Sequence, residues 1–194
     1  MADLAGGVAV SEVAVHRVDG RSPMSGLGSW RRLLRHLLWP DRWGLGGRPS
    51  AGELATIEAA IARNERGHRG ELRFVVEGSL PVGRVLGGMS ARDRALDLFA
   101  LLHVWDTEDN SGVLIYVQQV DRCVEIVADR GIHRCVGADT WVDLCRQMER
   151  QFAAGRFEEG AVAALDAIGA LLKQHFPAAD ASNPNELPDR PLVL

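Results

Sequence analysis

Acidic and amide side chains follow one another closely in one stretch of the chain, residues 105–111 (Trp-Asp-Thr-Glu-Asp-Asn-Ser). Asp106, Glu108 and Asn110 offer oxygen ligands of the kind that Ca²⁺ and Mg²⁺ prefer in proteins. The Asp-x-Asp-x-Asp-Gly order of an EF-hand loop is absent, so a cation bound here would need oxygen atoms from elsewhere in the fold. The elements that surround this stretch therefore decide whether a site forms.

Three short apolar segments predict β-strands, at residues 71–77, 112–118 and 123–128. A helix is predicted between the first two segments, which makes these strands parallel neighbours. The short connection between the second and third predicts an antiparallel hairpin. The second segment is almost entirely apolar, which is typical of a strand covered on both faces. Glu77 and Glu125 are expected at solvent-facing positions.

Helices are predicted by capping signals and by apolar residues at helical spacing. Ser-x-x-Glu and Ser-x-x-Asp capping boxes begin two of them, at Ser50 and Ser90. Two later helices are predicted at about 139–154 and 157–175. A sheet with helices on both faces is the economical packing of these elements. We therefore expect an α/β fold, an αβα three-layer sandwich with a small mixed β-sheet.

The chain has 194 residues, which suits one domain with extensions. Residues 1–49 are predicted to be an N-terminal extension with a short basic helix at about 29–39. Residues 50–176 are the expected domain. Residues 177–194 are rich in proline and are expected to be extended.

Composition excludes several classes of protein. Apolar residues make up 46% and charged residues 25%, as in ordinary globular proteins, and the net charge of -4 argues against a nucleic-acid binder. No apolar run has the length of a membrane span, and the N-terminus lacks the pattern of a signal peptide. The three cysteines fit no zinc pattern, so a cytoplasmic location is expected.

The predicted topology delivers further polar groups to one edge of the sheet. The first strand begins at Glu71, the third ends near Asp129, and the helix after Ser50 ends near Glu65. Clustered carboxylates repel one another unless a cation or an arginine such as Arg73 compensates them. The predicted ligands of Ca²⁺ or Mg²⁺ at this edge are Glu71, Asp106, Glu108, Asn110 and Asp129.

Three neighbouring residues have alternative interpretations. Arg130 is predicted either to neutralise the carboxylates or, in an enzyme, to hold a phosphate. Asp129, Arg130 and Gly131 together also fit an ion-paired turn. Trp105 is expected to fill the core beside the acidic stretch.

The basic helix at about 29–39 combines Leu33, Leu34, Leu37 and Leu38 with arginines on the opposite side and tryptophans near its ends. We expect it to dock its leucine stripe on the domain or on a protein partner, because isolated helices of this length are marginal. The alternative is an interfacial helix that lies on a membrane surface.

Several segments together resemble the TPM-domain family, also called the TPM phosphatase domain. The resemblance spans about residues 50–194 and includes a stretch from Phe157 to Gly160 and one from Asn185 to Asp189. Its main motifs are Ile57-Glu-Ala-Ala-Ile61, Gly70-Glu-Leu-Arg-Phe74, Val104-Trp-Asp-Thr-Glu-Asp-Asn-Ser-Gly-Val-Leu-Ile-Tyr116 and Val124-Glu-Ile-Val-Ala-Asp-Arg-Gly-Ile132.

The resemblance implies an αβα sandwich. A chloroplast branch of the family is linked to photosystem II repair and acid phosphatase activity, and some bacterial members bind divalent cations at an acidic rim. Carried over by position, the implied ligands are Glu71, Asp106, Asn110 and Asp129. Two features depart from many relatives: the pattern of a signal peptide and membrane anchor is missing, and Ala128-Asp-Arg-Gly131 replaces a Gly-x-Gly turn.

The leading functional hypothesis is a non-enzymatic cytoplasmic TPM-domain protein that binds a divalent cation and docks to a protein partner. The first alternative is a weak metal-assisted acid phosphatase in which Asp106 or Asp129 holds the metal. The second is a peripheral membrane or assembly factor that uses residues 29–39. The sequence leaves the metal, the substrate, the partner and the oligomeric state open.

Overall fold

The computed structural model describes residues 26–38, 48–178 and 186–194. The predictions for residues 1–25, for 39–47 and for Asn185 lie outside this part. The described helices are α1 Gly26–Leu38, α2 Ala51–Glu65, α3 Val82–Leu86, α4 Ala91–Leu101, α5 Arg130–Val136, α6 Ala138–Ala153 and α7 Phe157–His175. The described strands are β1 Leu72–Glu77, β2 Val113–Gln118, β3 Cys123–Ala128 and β4 Leu192–Val193.

The strands form one mixed sheet in the order β3-β2-β1-β4. β1 pairs in parallel with both β2 and β4, whereas β2 and β3 form an antiparallel hairpin. The predicted crossover and hairpin are therefore confirmed. β4 adds a strand that the proline-rich tail did not predict, since its two paired residues are too few to produce a periodic pattern.

Local sequence signals explain where two of the helices begin. At the start of α2 the Ser50 hydroxyl accepts a hydrogen bond from Glu53 N at 3.1 Å, and Ser50 N donates to the Glu53 carboxylate at 2.7 Å. Ser90 and Asp93 form the same reciprocal pair at the start of α4. Both predicted capping boxes are therefore confirmed. Each satisfies two backbone N–H groups at the start of its helix, and it needs no contact with the rest of the fold.

Helices cover both faces of the sheet, as the predicted sandwich requires. α2, α5, α6 and α7 pack on the face that carries Leu72, Phe74 and Ile115. α4 covers the other face, where its apolar residues meet Val75 and Tyr116, and Leu187 of the C-terminal segment joins them. Every residue of β1 and β2 is buried. None of the described helices is long and apolar enough to cross a membrane.

Two short helices were not predicted from the sequence. α3 spans only five residues, which is less than two helical turns. α5 begins where an ion-paired turn was the alternative interpretation: Asp129 caps it, with one carboxylate oxygen accepting from Arg130 N at 2.6 Å. Both helices are too short for helical spacing to distinguish them from loops.

The orientation of α1 contradicts the expectation that its leucine stripe docks on the domain, whereas docking on a protein partner stays a prediction. His36 is buried, whereas Leu37 and Leu38 are 59% and 70% exposed. The helix therefore contacts the domain through its polar side. Its contacts are with the opposite end of the sheet from the predicted acidic edge.

Glu77 was expected to face solvent and is instead 3% exposed. Its carboxylate accepts hydrogen bonds from Nε and Nη2 of Arg94 and another from the Tyr116 hydroxyl at 2.7 Å. Burial and the hydrogen bond to Glu77 raise the pKa of Tyr116, so that the hydroxyl remains a donor. A buried charge on the strand is tolerated because these partners satisfy it.

We predict that Gly112→Ala destabilises the fold by about 2 kcal/mol or more, because the added methyl group would overlap the backbone carbonyl of Val104. Gly83→Ala is the matched control, since a Cβ at Gly83 meets no atom within 4 Å. Urea unfolding of the two variants measures the difference. Equal stability of both variants would contradict the close approach of the two chain segments.

Candidate functional site

The acidic edge separates into two groups of residues, and the first surrounds the start of β1. One oxygen of Glu65 accepts from Leu72 N at 2.9 Å. The two oxygens of Glu71 accept from Glu186 N at 3.3 Å and from Leu187 N at 3.2 Å. These carboxylates, together with Asp189, are referred to as the strand-side cluster. Its hydrogen bonds serve the backbone of β1 and of the C-terminal segment.

Burial makes the carboxyls of Glu65 and Glu71 weaker acids than usual. Burial, helped by the nearby Glu71 and Asp189 carboxylates and opposed by the hydrogen bond from Leu72 N, raises the pKa of Glu65 from the ordinary 4.5 to about 9. Burial likewise raises the pKa of Glu71 to about 7, although the backbone donors of residues 186 and 187 oppose this shift. A carboxyl that holds its proton at neutral pH is a poor cation ligand. This cluster is therefore better suited to fastening the C-terminal segment than to binding a metal.

The second group lies where the loop before β2 meets the start of α5. Asp109 forms an ion pair with Arg69 at 2.9 Å, and the Asn110 side-chain oxygen accepts from Arg130 Nε at 3.0 Å. Asp129 uses one oxygen to cap α5, as described above. Its other oxygen, Oδ2, is buried without a hydrogen-bond partner. We call Asp109, Asn110 and Asp129 the loop-side cluster.

Backbone contacts hold the loop-side cluster together. Gly131 N donates to the Asn110 carbonyl at 2.9 Å. A Cβ at Gly131 would come within 2.6 Å of the Asp109 carbonyl oxygen, so glycine is needed for this approach. Asn110 adopts a left-handed conformation with φ of 53°, which asparagine tolerates better than most residues. The loop is thus pressed against the start of α5, next to Asp129.

The structure does not gather the five predicted ligands at one point. Glu71 belongs to the strand-side cluster, Asn110 and Asp129 to the loop-side cluster, and Asp106 and Glu108 are exposed at the surface. Within residues 26–38, 48–178 and 186–194, no group of three or more His, Cys, Asp or Glu residues is placed to hold a metal ion. A cation site at this edge would therefore have to be smaller than expected.

Trp105 does not fill the core as expected. Its side chain is 48% exposed, and its ring lies 5.9 Å from that of His103. The core position in this stretch belongs to Val104, which is fully buried. Both residues lie in the turn that follows α4, which places Val104 inward and Trp105 at the surface.

The hydroxyl groups of the loop are engaged with the backbone. Thr107 Oγ1 accepts from Ser111 N at 3.0 Å, and Ser111 Oγ donates to the Arg69 carbonyl at 3.3 Å. Both residues are buried. Their contacts stabilise the loop that presents Asp109 and Asn110.

Sequence reasoning missed two charged partners at this edge. Arg69 lies before β1 and reaches Asp109 across 40 positions of the chain. Asp189 comes to the strand-side cluster from the C-terminal segment, more than 100 positions after Glu71. The spacing of residues along the chain could not predict either contact, because the segments involved are distant in sequence and only the tertiary fold brings them together.

Solved structures share this architecture. The chain is similar to the BA42 protein from the psychrophilic bacterium Bizionia argentinensis, solved by NMR, with 29% sequence identity and a TM-score of 0.67. The similarity covers 78% of this chain and 99% of that one. The N-terminal domain of a protein from P. gingivalis is 17% identical with a TM-score of 0.53, covering 76% and 94% of the two chains, which shows the fold alone. No curated protein matches the chain significantly.

These features define the class of protein as an αβα sandwich around a small mixed sheet with an acidic edge. The model of the TPM domain matches residues 50–171, which is more than half of the chain. The chain belongs to the TPM-domain family, as its motifs predicted.

We predict that Glu65→Gln gains stability relative to the wild type as pH rises. The raised pKa of Glu65 means that the folded state retains a proton that the unfolded chain releases above pH 4.5. This carboxyl therefore costs stability increasingly between that pH and its folded-state pKa of about 9. The amide has no such proton, so the variant should gain roughly 1 kcal/mol per pH unit between about pH 5 and pH 8.

Urea unfolding at several pH values measures this difference. Glu159→Gln, which changes an exposed carboxylate on α7, is the control and should follow the wild type throughout. A pH-independent difference between Glu65→Gln and the wild type would show that Glu65 is ionised in the folded protein.

Proposed function

We propose that the protein is a non-catalytic binding module that takes up one divalent cation at the loop-side cluster. Asp129 is the central ligand, with Asp109 and Asn110 beside it. The observation that supports this proposal is the unpartnered Oδ2 of Asp129, in a residue that is only 7% exposed. A buried carboxylate oxygen without a partner is costly, and a cation would satisfy it.

The donor set suits a hard cation of modest affinity. Asp109 and Asp129 provide carboxylate oxygens and Asn110 an amide oxygen. Mg²⁺ commonly binds proteins through one or two carboxylates while keeping several waters, and Ca²⁺ accepts carboxylate, amide and water oxygens in flexible arrangements. The two ions are therefore both candidates, and the chemistry that either supplies is charge neutralisation.

Two arginines compete with a cation for these ligands. Arg69 holds Asp109, with 41% of its side chain exposed, and Arg130 is exposed while it donates to Asn110. Contacts near the surface of this kind contribute little to stability, typically about 1 kcal/mol or less each. Both guanidinium groups can therefore swing into solvent at small cost when a cation arrives. Asp129 Oδ1 continues to cap α5.

We predict that protein freed of metal with EDTA binds Ca²⁺ or Mg²⁺ in isothermal titration, and that Asp129→Asn weakens this binding about tenfold or more, because it removes the charge of the central ligand. Arg69→Gln should tighten binding by up to about fivefold, since it removes the competitor for Asp109. These opposite responses distinguish a site at the loop-side cluster from general attraction to an acidic protein.

Asp143→Asn is the matched control, because it removes one exposed carboxylate from α6 and should leave the titration unchanged. Circular dichroism of each variant checks that α5 and the rest of the fold persist. Absence of heat with both ions, or equal binding by Asp129→Asn and Asp143→Asn, would contradict the proposal.

The phosphatase alternative remains a prediction, and no contact described above favours it over cation binding alone. The hydroxyl groups in the loop that carries Asp109 and Asn110, those of Thr107 and Ser111, already form hydrogen bonds with backbone groups. A cytoplasmic location and a protein partner likewise remain expectations drawn from the sequence.

A further inference from the structure

Helix α1 is fastened to the domain by its polar side. His36 Nδ1 accepts a hydrogen bond from Leu80 N at 3.0 Å, just after β1. The Arg32 guanidinium contacts Asp121 in the turn between β2 and β3 at 2.8 Å, and Arg35 lies 3.5 Å from the same carboxylate. Although burial alone would raise the pKa of Asp121, the neighbouring His36 and Arg32 lower it to about 2. The anchor is thus a partly buried carboxylate surrounded by basic groups.

This anchoring leaves the apolar side of α1 facing outward. Trp30 is 64% exposed and Leu34 is 42% exposed, and the strongly exposed Leu37 and Leu38 lie on the same side at spacings of three and four residues. Arg31 and Arg35, also four residues apart, border this stripe and are exposed. The outward side is therefore an apolar stripe with a basic margin.

The neighbouring helix extends the exposed apolar surface. α3 packs against α1, and its Val82 and Leu86 are exposed as well. Large exposed apolar surfaces on a folded protein mark sites of interaction with a membrane or another protein. We define the α1–α3 surface by its exposed apolar residues, which are Trp30, Leu34, Leu37, Leu38, Val82 and Leu86.

We propose that the α1–α3 surface binds the surface of an anionic phospholipid bilayer. Leucine and tryptophan on one side of a helix, with arginines at its margin, match the depth at which acyl chains meet headgroups. α1 carries three arginines and no acidic residue, although the whole chain has a net charge of -4. Anionic headgroups would attract this helix and repel most of the remaining surface, which fixes the orientation on the bilayer.

A second copy of the chain fits this surface less well. A two-fold interface brings the same patch of both copies together. Arg31 and Arg35 would then approach their own counterparts, and like charges at short distance are unfavourable. Anionic lipid offers the opposite charge instead.

The full chain is expected to float with vesicles of phosphatidylcholine containing about 30% phosphatidylserine, and not with vesicles of phosphatidylcholine alone. Leu37→Ser should weaken the binding about tenfold, because it removes one apolar side chain from the interface. Arg31→Gln should weaken it about fivefold on anionic vesicles.

Two variants serve as matched controls. Leu101→Ser removes an equally exposed leucine from α4, and Arg150→Gln removes an exposed arginine from α6. Both should float like the wild type. Failure of the full chain to bind anionic vesicles, or equal loss with Leu37→Ser and Leu101→Ser, would overturn the proposal. So would light scattering that shows a dimer that Leu37→Ser converts to a monomer without any vesicle binding. The assay contains EDTA, so its outcome is independent of the cation site.

Discussion

The structure depends on how the polar groups of the central strand are satisfied. Glu71, Arg73 and Glu77 alternate along β1 and its start, and therefore project toward the same side of the sheet, where all three are buried. Arg73 donates to the carbonyls of Pro188 and Arg190. Glu71 accepts from the backbone amides of residues 186 and 187, which precede them in the same segment. The C-terminal segment thus covers this face around Glu71 and Arg73, and β4 pairs with β1 at the edge of the sheet.

The need to satisfy buried polar groups also divides the carboxylates of the acidic edge into two kinds. Glu65 and Glu71 of the strand-side cluster serve the backbone, and their raised pKa values of about 9 and about 7 leave them wholly and partly protonated at neutral pH. In the loop-side cluster, burial also raises the pKa of Asp129, yet Arg130 opposes this shift and one oxygen stays without a partner. A sequence of acidic residues therefore contains both structural groups and candidate ligands, and burial and hydrogen bonding distinguish them.

The sequence predicted features that depend on neighbouring residues and missed those that depend on distant ones. The capping boxes at Ser50 and Ser90 and the apolar strands β1 and β2 carry local signals, and so they appeared where expected. The contact of the C-terminal segment with Glu71 spans more than 100 positions and leaves no local trace. The amphipathic pattern of α1 identified two sides of a helix but could not show which one docks, since a buried partner for His36 was not visible in the chain.

The two ends of the sheet are therefore arranged in opposite ways. At the starts of β1 and β2, arginines lie outside and compensate acidic groups, whereas at the other end the partly buried acid Asp121 holds the basic side of α1 inward. Turning α1 over would bury its leucines but would take Arg32 and His36 away from Asp121, whose carboxylate would then lose its compensating charges. The outward apolar stripe is thus a consequence of the anchor itself, and the domain presents it without any rearrangement of its core.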